Sequence, residues 1–197
     1  MQVLEGNLRR VIGSQAPGGQ LRALSGEAMR SYARYWLEAF RLPMMPAGRL
    51  VAGMRDTGHS RAALEYLAAG RGVVFAPPHM GNYDLAAAWI IAKRAGCNEK
   101  ARMMGGAAAL AVQTGAALMP VVLWFEDDHW GVHVHEEIPV PAEGDSKQQA
   151  AAMTQEVARL FEAGIRAHPQ DWRLLQRVFA ADLALGGCGV RPAASRR

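Results

Sequence analysis

Cysteine is scarce in this sequence of 197 residues, which contains only Cys97 and Cys188. Two cysteines this far apart form neither a CxxC redox motif nor a set of zinc ligands. Free thiols in a reducing compartment are therefore expected, and a single disulfide remains the alternative. This scarcity excludes the disulfide-rich class of small secreted domains.

Long apolar runs are also absent. No stretch of 18 or more apolar residues occurs, so the sequence predicts no membrane-spanning helix. The opening residues, MQVLEGNLRR, lack the apolar core of a secretory signal, and none is expected. Any contact with a membrane is therefore expected to be peripheral.

The composition itself is that of a globular chain, with 50% hydrophobic and 20% charged residues. One domain over residues 1–185 and a flexible basic tail over 186–197 are predicted. The net charge is +4, and three arginines of the tail contribute to it. We expect a solvated tail, and attraction of the tail to anionic lipid or nucleic acid is the alternative. For the protein as a whole, no nucleic-acid partner is expected.

Apolar periodicity predicts strands that alternate with helices. The predicted strands cover 72–76, 117–125 and 131–140, and the predicted helices cover 24–43, 61–70, 82–95, 106–114, 146–167 and 171–183. Glycines or prolines follow most of these segments, as expected for their ends. The order favours a single α/β domain with a central mixed β-sheet flanked by helices.

The first predicted helix has a broad aromatic stripe with helical spacing. Its members are Met29, Tyr32, Trp36 and Phe40. A stripe of this kind predicts a side that faces the core. The alternative is a side at a lipid headgroup boundary, where aromatic rings are favourable and arginines reach phosphates. Those arginines are Arg30, Arg34 and Arg41.

The segment GVVFAPPHMGNYDLAAAW (72–89) places His79 directly after a predicted strand and Asp84 in the first turn of a predicted helix. α/β folds place their chemistry at such seams. The Asp84 carboxylate can accept the Nδ1–H of His79 and leave Nε2 free as a general base. Gly81 lets the backbone turn, and the N–H groups of Gly81 and Asn82 can stabilise an oxyanion.

The same pair has a structural interpretation. By spacing alone, a loop histidine and a helix-capping aspartate are the favoured explanation of His79 and Asp84. No serine or cysteine nucleophile stands beside the histidine, and G-x-S-x-G is absent. A catalytic pair would therefore act on a substrate hydroxyl and not through a covalent acyl-enzyme.

A histidine cluster offers a competing hypothesis of a zinc site. It consists of His129, His133 and His135, followed by two glutamates. Alternation places the last two histidines on one face of a strand, while Val132 and Val134 take the core face. A solvent-facing hairpin edge explains this pattern better than a zinc site, and we expect no metal.

Three blocks of the sequence resemble the lysophospholipid and lipid A acyltransferase family. They are the H-x4-D segment at 72–89, RMMGGAAALAVQTGAALMPV at 102–121 and HPQDWRLLQRVFAADL at 168–183. The last block and MRSYARYWLEAFRLP are most similar to the actinobacterial phosphatidylinositol mannoside acyltransferase branch. The resemblance covers most of residues 1–183.

The resemblance implies a glycerolipid acyltransferase-like fold and a reaction. The expected reaction moves a palmitoyl-like chain from acyl-CoA, used as a co-substrate without another cofactor, to a sugar hydroxyl of a phosphatidylinositol mannoside. His79 is expected to act as base, with Asp84 as its orienting partner. Gly81, Asn82 and Arg102 are the expected substrate-binding residues, and Arg102 as a surface charge is the alternative. The expected location is peripheral, at the cytoplasmic face of the plasma membrane.

The sequence also departs from the family pattern. A central segment is missing near residues 100 and 101, and the N-terminus is short relative to the family. The missing segment leaves a second hypothesis open, namely a catalytically impaired homologue that only binds lipid or membrane.

Overall fold

The computed structural model describes residues 2–93 and 106–176. Both cysteines, Arg102, the junction near residue 100 and the predicted tail lie outside the described residues. The described helices are α1 (Gln2–Ile12), α2 (Gly18–Arg41), α3 (Ala47–Gly53), α4 (Ser60–Ala68), α5 (Tyr83–Lys93), α6 (Ala107–Thr114) and α7 (Ser146–Ala167), with short 3-10 turns at Leu42–Met44 and Pro169–Asp171. The strands are β1 (Met54–Asp56), β2 (Val73–Ala76), β3 (Ala117–Phe125) and β4 (Trp130–Val134).

The four strands form one mixed sheet in the order β1-β4-β3-β2. The pairs β1–β4 and β2–β3 are parallel, and β3–β4 is antiparallel. β3 is apolar along its whole length and is buried on both faces, as its sequence predicted. The predicted α/β class with a mixed sheet is thus confirmed.

Helices cover both faces of this sheet. One face packs against α3, α4 and α5, where Leu50, Ala63 and Leu85 join the core. The other face packs against α1 and α2 near Val122, and against α6 and α7 near Leu118. Because β3 supplies residues to both sides, the described residues form a single domain. No helix among them is both long and apolar enough to span a bilayer.

Helix α2 differs from its prediction in where it begins and in which side it buries. It begins at Gly18, because Pro17 precedes the first turn and the N–H groups of that turn need no helical acceptor. Its buried side consists of Leu21, Ser25, Ala28, Ser31 and Tyr35. The aromatic stripe faces outward instead, and its prediction as a core-facing side is wrong.

The helix predicted over 171–183 does not begin at Asp171. Asp171 ends a 3-10 turn, and Trp172 forms an antiparallel bridge with Met80. Asp171 caps no helix, since its carboxylate accepts hydrogen bonds from the Ser31 hydroxyl (2.7 Å) and the Phe125 N–H (3.0 Å). Tertiary partners therefore replace the predicted cap, and residues from 177 onward lie outside the described part.

Candidate active site

The loop between β2 and α5 carries His79. β2 ends at Ala76, and two prolines lead to His79, whose side chain is exposed. Gly81 follows with φ +56°, and a Cβ there would lie 2.6 Å from the carbonyl carbon of Leu123. The loop therefore presses against β3 so closely that only glycine fits at this position.

Asn82 is a buried structural residue at the start of α5. Its Oδ1 accepts the N–H of Leu85 (3.0 Å), which is the hydrogen bond of a helix N-cap. Its Nδ2 donates to Glu38 of α2 (2.9 Å). The neighbouring Gly81 N–H donates to the Asp171 carbonyl (3.2 Å), so this N–H has no free hydrogen for an oxyanion in the observed arrangement.

Asp84 lies in the first turn of α5 and is held by a tyrosine. The Tyr35 hydroxyl donates to Asp84 Oδ2 (2.7 Å) and lies 3.0 Å from the Tyr83 hydroxyl. Burial, followed by these two neighbours, raises the pKa of Tyr35 far above its usual value, so the phenol stays protonated. Within the described residues no hydrogen bond joins Asp84 to His79, so that pairing stays a prediction.

A cavity of about 290 Å³ opens beside His79. Its lining combines aromatic rings, one cation and the last described residues of the chain: Tyr32, Tyr35, Trp36, His79, Tyr83, Arg173, Leu174, Leu175 and Gln176. The His79 and Tyr83 rings approach edge to face at 6.3 Å. A substrate in this cavity would lie next to the imidazole.

A second cavity of about 220 Å³ is almost wholly apolar. It lies between the sheet and helices α5 and α6, and its lining includes Phe75, Pro77, Tyr83, Ala86, Trp89, Ile90, Leu110, Val121 and Leu123. Tyr83 lines both cavities.

The last of the three family blocks (168–183), here called the C-terminal block, pairs with the His79 loop through its residues 171–173. The Arg173 N–H donates to the His79 carbonyl (3.0 Å), and the Asp171 carbonyl accepts from Gly81. Burial raises the pKa of Asp171 and lowers that of Arg173 from their usual values. A segment about 90 residues away in the chain therefore contributes directly to the shape of this loop.

The competing histidine cluster does not assemble into a metal site. The His133 and His135 rings meet edge to face at 4.6 Å, and His133 Nδ1 lies 3.1 Å from Thr57 Oγ1. No group of three or more metal-ligating side chains occurs in the two described stretches. Val132 and Val134 are buried, as the hairpin-edge interpretation predicted.

Sequence reasoning missed several side chains that the fold brings to the site. Tyr35 and Arg173 line the His79 cavity, Asp171 holds the loop, and Glu38 holds Asn82. Tyr35 was detectable as a tyrosine four residues after Ser31 on the small-residue side of α2. The other three had no local signal, because their partners lie far away in the chain.

Comparison with known proteins matches this chain to one family and to relatives from two organisms. The model of the bacterial lipid A biosynthesis acyltransferase family matches residues 2–99 and 97–181. A phosphatidylinositol mannoside acyltransferase of Mycolicibacterium smegmatis is 32% identical, over 92% of this chain and 80% of the relative. A protein of the same name from Mycobacterium tuberculosis is also 32% identical, over 92% of this chain and 78% of the relative.

These alignments run over 255 and 256 residues, more than the 197 of this chain. The relatives therefore carry residues within the aligned region that have no counterpart here. The two matched segments meet near residues 97–99, inside the part that the structure does not describe. With most of its length matched, the chain belongs to the bacterial lipid A biosynthesis acyltransferase family.

Proposed function

We propose that this chain is an acyl-CoA-dependent O-acyltransferase that acylates a sugar hydroxyl of a phosphatidylinositol mannoside. The observation that supports this most directly is the exposed His79 at the strand–helix seam, beside a cavity that shares Tyr83 in its lining with an apolar cavity. The printed names of the relatives support the glycolipid acceptor.

His79 acts as the general base. Its ring accepts no hydrogen bond from the described residues, so Nε2 is available to take the proton of the sugar hydroxyl. The hydroxyl oxygen then attacks the thioester carbonyl carbon, and a tetrahedral intermediate forms. Its collapse breaks the carbon–sulfur bond, and the CoA thiolate leaves with the proton from His79. The products are the ester and the free thiol of CoA.

Asp84 orients His79 in this reaction. Its Oδ2 accepts from Tyr35, whereas no hydrogen bond to Oδ1 is found in the described chain. Oδ1 is therefore available for the Nδ1–H of His79 once the substrate is bound, since catalytic hydrogen bonds often tighten only in the complex. This would fix the tautomer that exposes Nε2 as the acceptor.

The acyl chain occupies the apolar cavity that Tyr83 borders. Aromatic and aliphatic side chains line it and offer no charge, which suits a palmitoyl-like chain. Arg102, at the head of the second family block, contacts a substrate phosphate or carboxylate in this proposal. Gly81 contributes by allowing the close backbone turn, and Asn82 by fixing the start of α5.

The activity is tested by following release of CoA from palmitoyl-CoA with a phosphatidylinositol mannoside acceptor. Turnover in the wild type should fall by about 10²–10⁴-fold in His79→Ala, the range for losing a general base. The matched control is His135→Gln, which changes a histidine of the other cluster and should keep full turnover. Robust turnover in His79→Ala would exclude the proposed base.

Membrane association is the second part of this proposal. Trp36 and Phe40 at the end of α2 are 44% and 76% exposed, Met44 in the 3-10 turn that follows is 80% exposed, and the two rings stack at 5.9 Å. Arg41 and Arg49 flank this surface and have no ionic partner among the described residues. Exposed aromatic rings beside unpaired arginines suit the boundary of an anionic bilayer. Trp36 also lines the His79 cavity, so docking would open that cavity toward lipid.

Peripheral binding at the cytoplasmic face of the plasma membrane is tested by co-sedimentation with vesicles. Vesicles containing phosphatidylglycerol should bind the protein more tightly than pure phosphatidylcholine vesicles. Phe40→Ser combined with Met44→Ser should weaken binding by about tenfold or more, given the apolar area lost. Val140→Ser, at an apolar position 41% exposed in the segment between β4 and α7, serves as the control.

The impaired-homologue hypothesis makes the opposite prediction for activity. The residues that this chain lacks relative to its relatives favour it. Vesicle binding without any thioester consumption by the wild type would support it and overturn the enzymatic proposal.

A further inference from the structure

Arg173 lies in an unusual environment for an arginine. Its side chain is buried, with 8% of the residue exposed, and no salt bridge to a carboxylate is found in the described residues. Its Nη1 has no hydrogen-bond partner in the described residues, and burial lowers the pKa of the guanidinium. Burying an unpaired cation is costly, and an apolar residue of similar volume usually serves packing better.

Two contacts hold the guanidinium in place, and both lead to the predicted catalytic residues. Nη2 of Arg173 donates to the carbonyl of Gly81. The backbone N–H of Arg173 donates to the carbonyl of His79 (3.0 Å). Arg173 thus binds the loop on both sides of Met80. Backbone pairing alone would supply only one of these two hydrogen bonds.

The other contact leads to Asp84. The guanidinium carbon lies 4.2 Å from the centre of the Tyr35 ring, in a cation–π arrangement. The hydroxyl of that same tyrosine donates to Asp84 Oδ2 at 2.7 Å. The Arg173 side chain therefore contacts the His79 loop through the Gly81 carbonyl. It also contacts the ring of the tyrosine that hydrogen-bonds to Asp84.

We propose that Arg173 is a positioning residue, which holds His79 and Asp84 in one fixed relation by binding the Gly81 carbonyl and the face of Tyr35. It contacts neither reacting atom itself. This inference rests on the proposed function for its catalytic consequence, but the contacts make a prediction about loop rigidity that is independent of activity.

Arg71 provides a matched control. It also stacks over a tyrosine, Tyr66, at 4.9 Å, and donates to a backbone carbonyl, that of Gly115 (3.1 Å). It lies before β2, at the opposite end of that strand from His79, and it is paired with Glu137. Arg71→Met thus removes a similar set of contacts away from the site.

The first test is hydrogen exchange at the Gly81 amide, which donates to the Asp171 carbonyl. In Arg173→Met, exchange of this amide should accelerate by at least about tenfold, because the loop loses its clamp. In Arg71→Met it should not change. An unchanged rate in Arg173→Met would overturn the proposal, whether or not the wild type turns over substrate.

The second test separates positioning from direct substrate binding. Arg173→Met should lower kcat per folded molecule by roughly 10–100-fold, with KM for palmitoyl-CoA and acceptor changed by less than about threefold. Arg173→Lys should recover part of kcat, since an ammonium reaches one carbonyl but does not stack flat. A rise in KM with kcat unchanged would mean that Arg173 binds substrate directly, and would overturn the proposal.

The two tests also remain informative if one of them fails. If Arg173→Met does not fold, Arg173→Lys replaces it, and exchange at Gly81 should then rise by about threefold. No rise would contradict the clamp. If the wild type consumes no thioester, the proposed function fails by itself, and the exchange measurement still decides the role of Arg173.

Discussion

Histidines lie in two regions next to the sheet, the loop after β2 and the end of β4, and their rings have different surroundings. The His79 ring is exposed at a cavity and approaches the Tyr83 ring edge to face at 6.3 Å. His133 and His135 pack against each other at 4.6 Å, and His133 also lies against Thr57. The difference shows that residue type alone does not indicate a base. An imidazole nitrogen has to be free and has to face a space that a substrate can enter.

The largest expected effect that tests this comparison is on Asp84. Asp84→Asn should lower kcat by about 10²-fold, because an amide cannot orient the His79 tautomer as a carboxylate does. The matching change at the other region, His133→Gln, should alter kcat by less than about twofold. Steady-state release of CoA measures both. Equal losses in the two variants would remove the distinction between the regions.

A glycine presses against a strand in each region, and the next prediction uses this parallel. A Cβ at Gly81 would meet Leu123, and one at Gly58 would overlap the backbone of Val134. Alanine at either position should therefore cost about 1–3 kcal/mol of unfolding free energy. Urea denaturation measures this cost. Only Gly81→Ala should also lower kcat per folded molecule, since only that loop carries the proposed base.

Tyr35→Phe should have a smaller effect than Asp84→Asn. It removes the hydroxyl that donates to Asp84 but keeps the ring under Arg173. We expect kcat to fall by about tenfold, which corresponds to one hydrogen bond to a charged group. Tyr66→Phe, on the other arginine-stacked tyrosine, is the control and should leave kcat unchanged. A loss as large as that of Asp84→Asn would mean that Tyr35 does more than hold the carboxylate.

The smallest expected effect is the pH dependence of stability at the second region. Burial, followed by the neighbouring His133, His59 and Arg159, lowers the pKa of His135. The unfolded chain then binds a proton more readily than the folded one, so stability should fall as pH drops below about 6.5. Urea midpoints at pH 8 and pH 5.5 measure this fall, which should be smaller in His135→Gln. An identical fall in that variant would assign it to other groups, such as the half-buried His168.

Most secondary structure near the site was predictable from local pattern. Strands β2 and β3 and helices α5, α6 and α7 agree with their predicted segments to within a few residues. Their apolar runs are long, and Gly115 ends α6 in a left-handed conformation, as a helix-ending glycine should. Short elements such as β1, with three residues, carry too little pattern to be predicted.

The predictions were wrong where contacts with residues far away in the chain decide which side chains are buried. The outward stripe of α2 is more apolar than its buried side, so periodicity indicated the wrong side. Small residues on the buried side let α2 approach the C-terminal block, where Ser31 donates to Asp171, 140 positions away. The same block was predicted as a helix from Asp171, but pairing with Met80 keeps it extended.

The sequence by itself determined the class of fold, the seam that carries His79 and Asp84, and the family to which the chain belongs. Those conclusions depend on short-range patterns and on blocks of neighbouring residues. Only the tertiary structure decided which side of α2 is exposed, that Tyr35 holds Asp84, and that Arg173 clamps the His79 loop. These contacts join residues about 50 to 140 positions apart, and no local pattern encodes a partner at that distance.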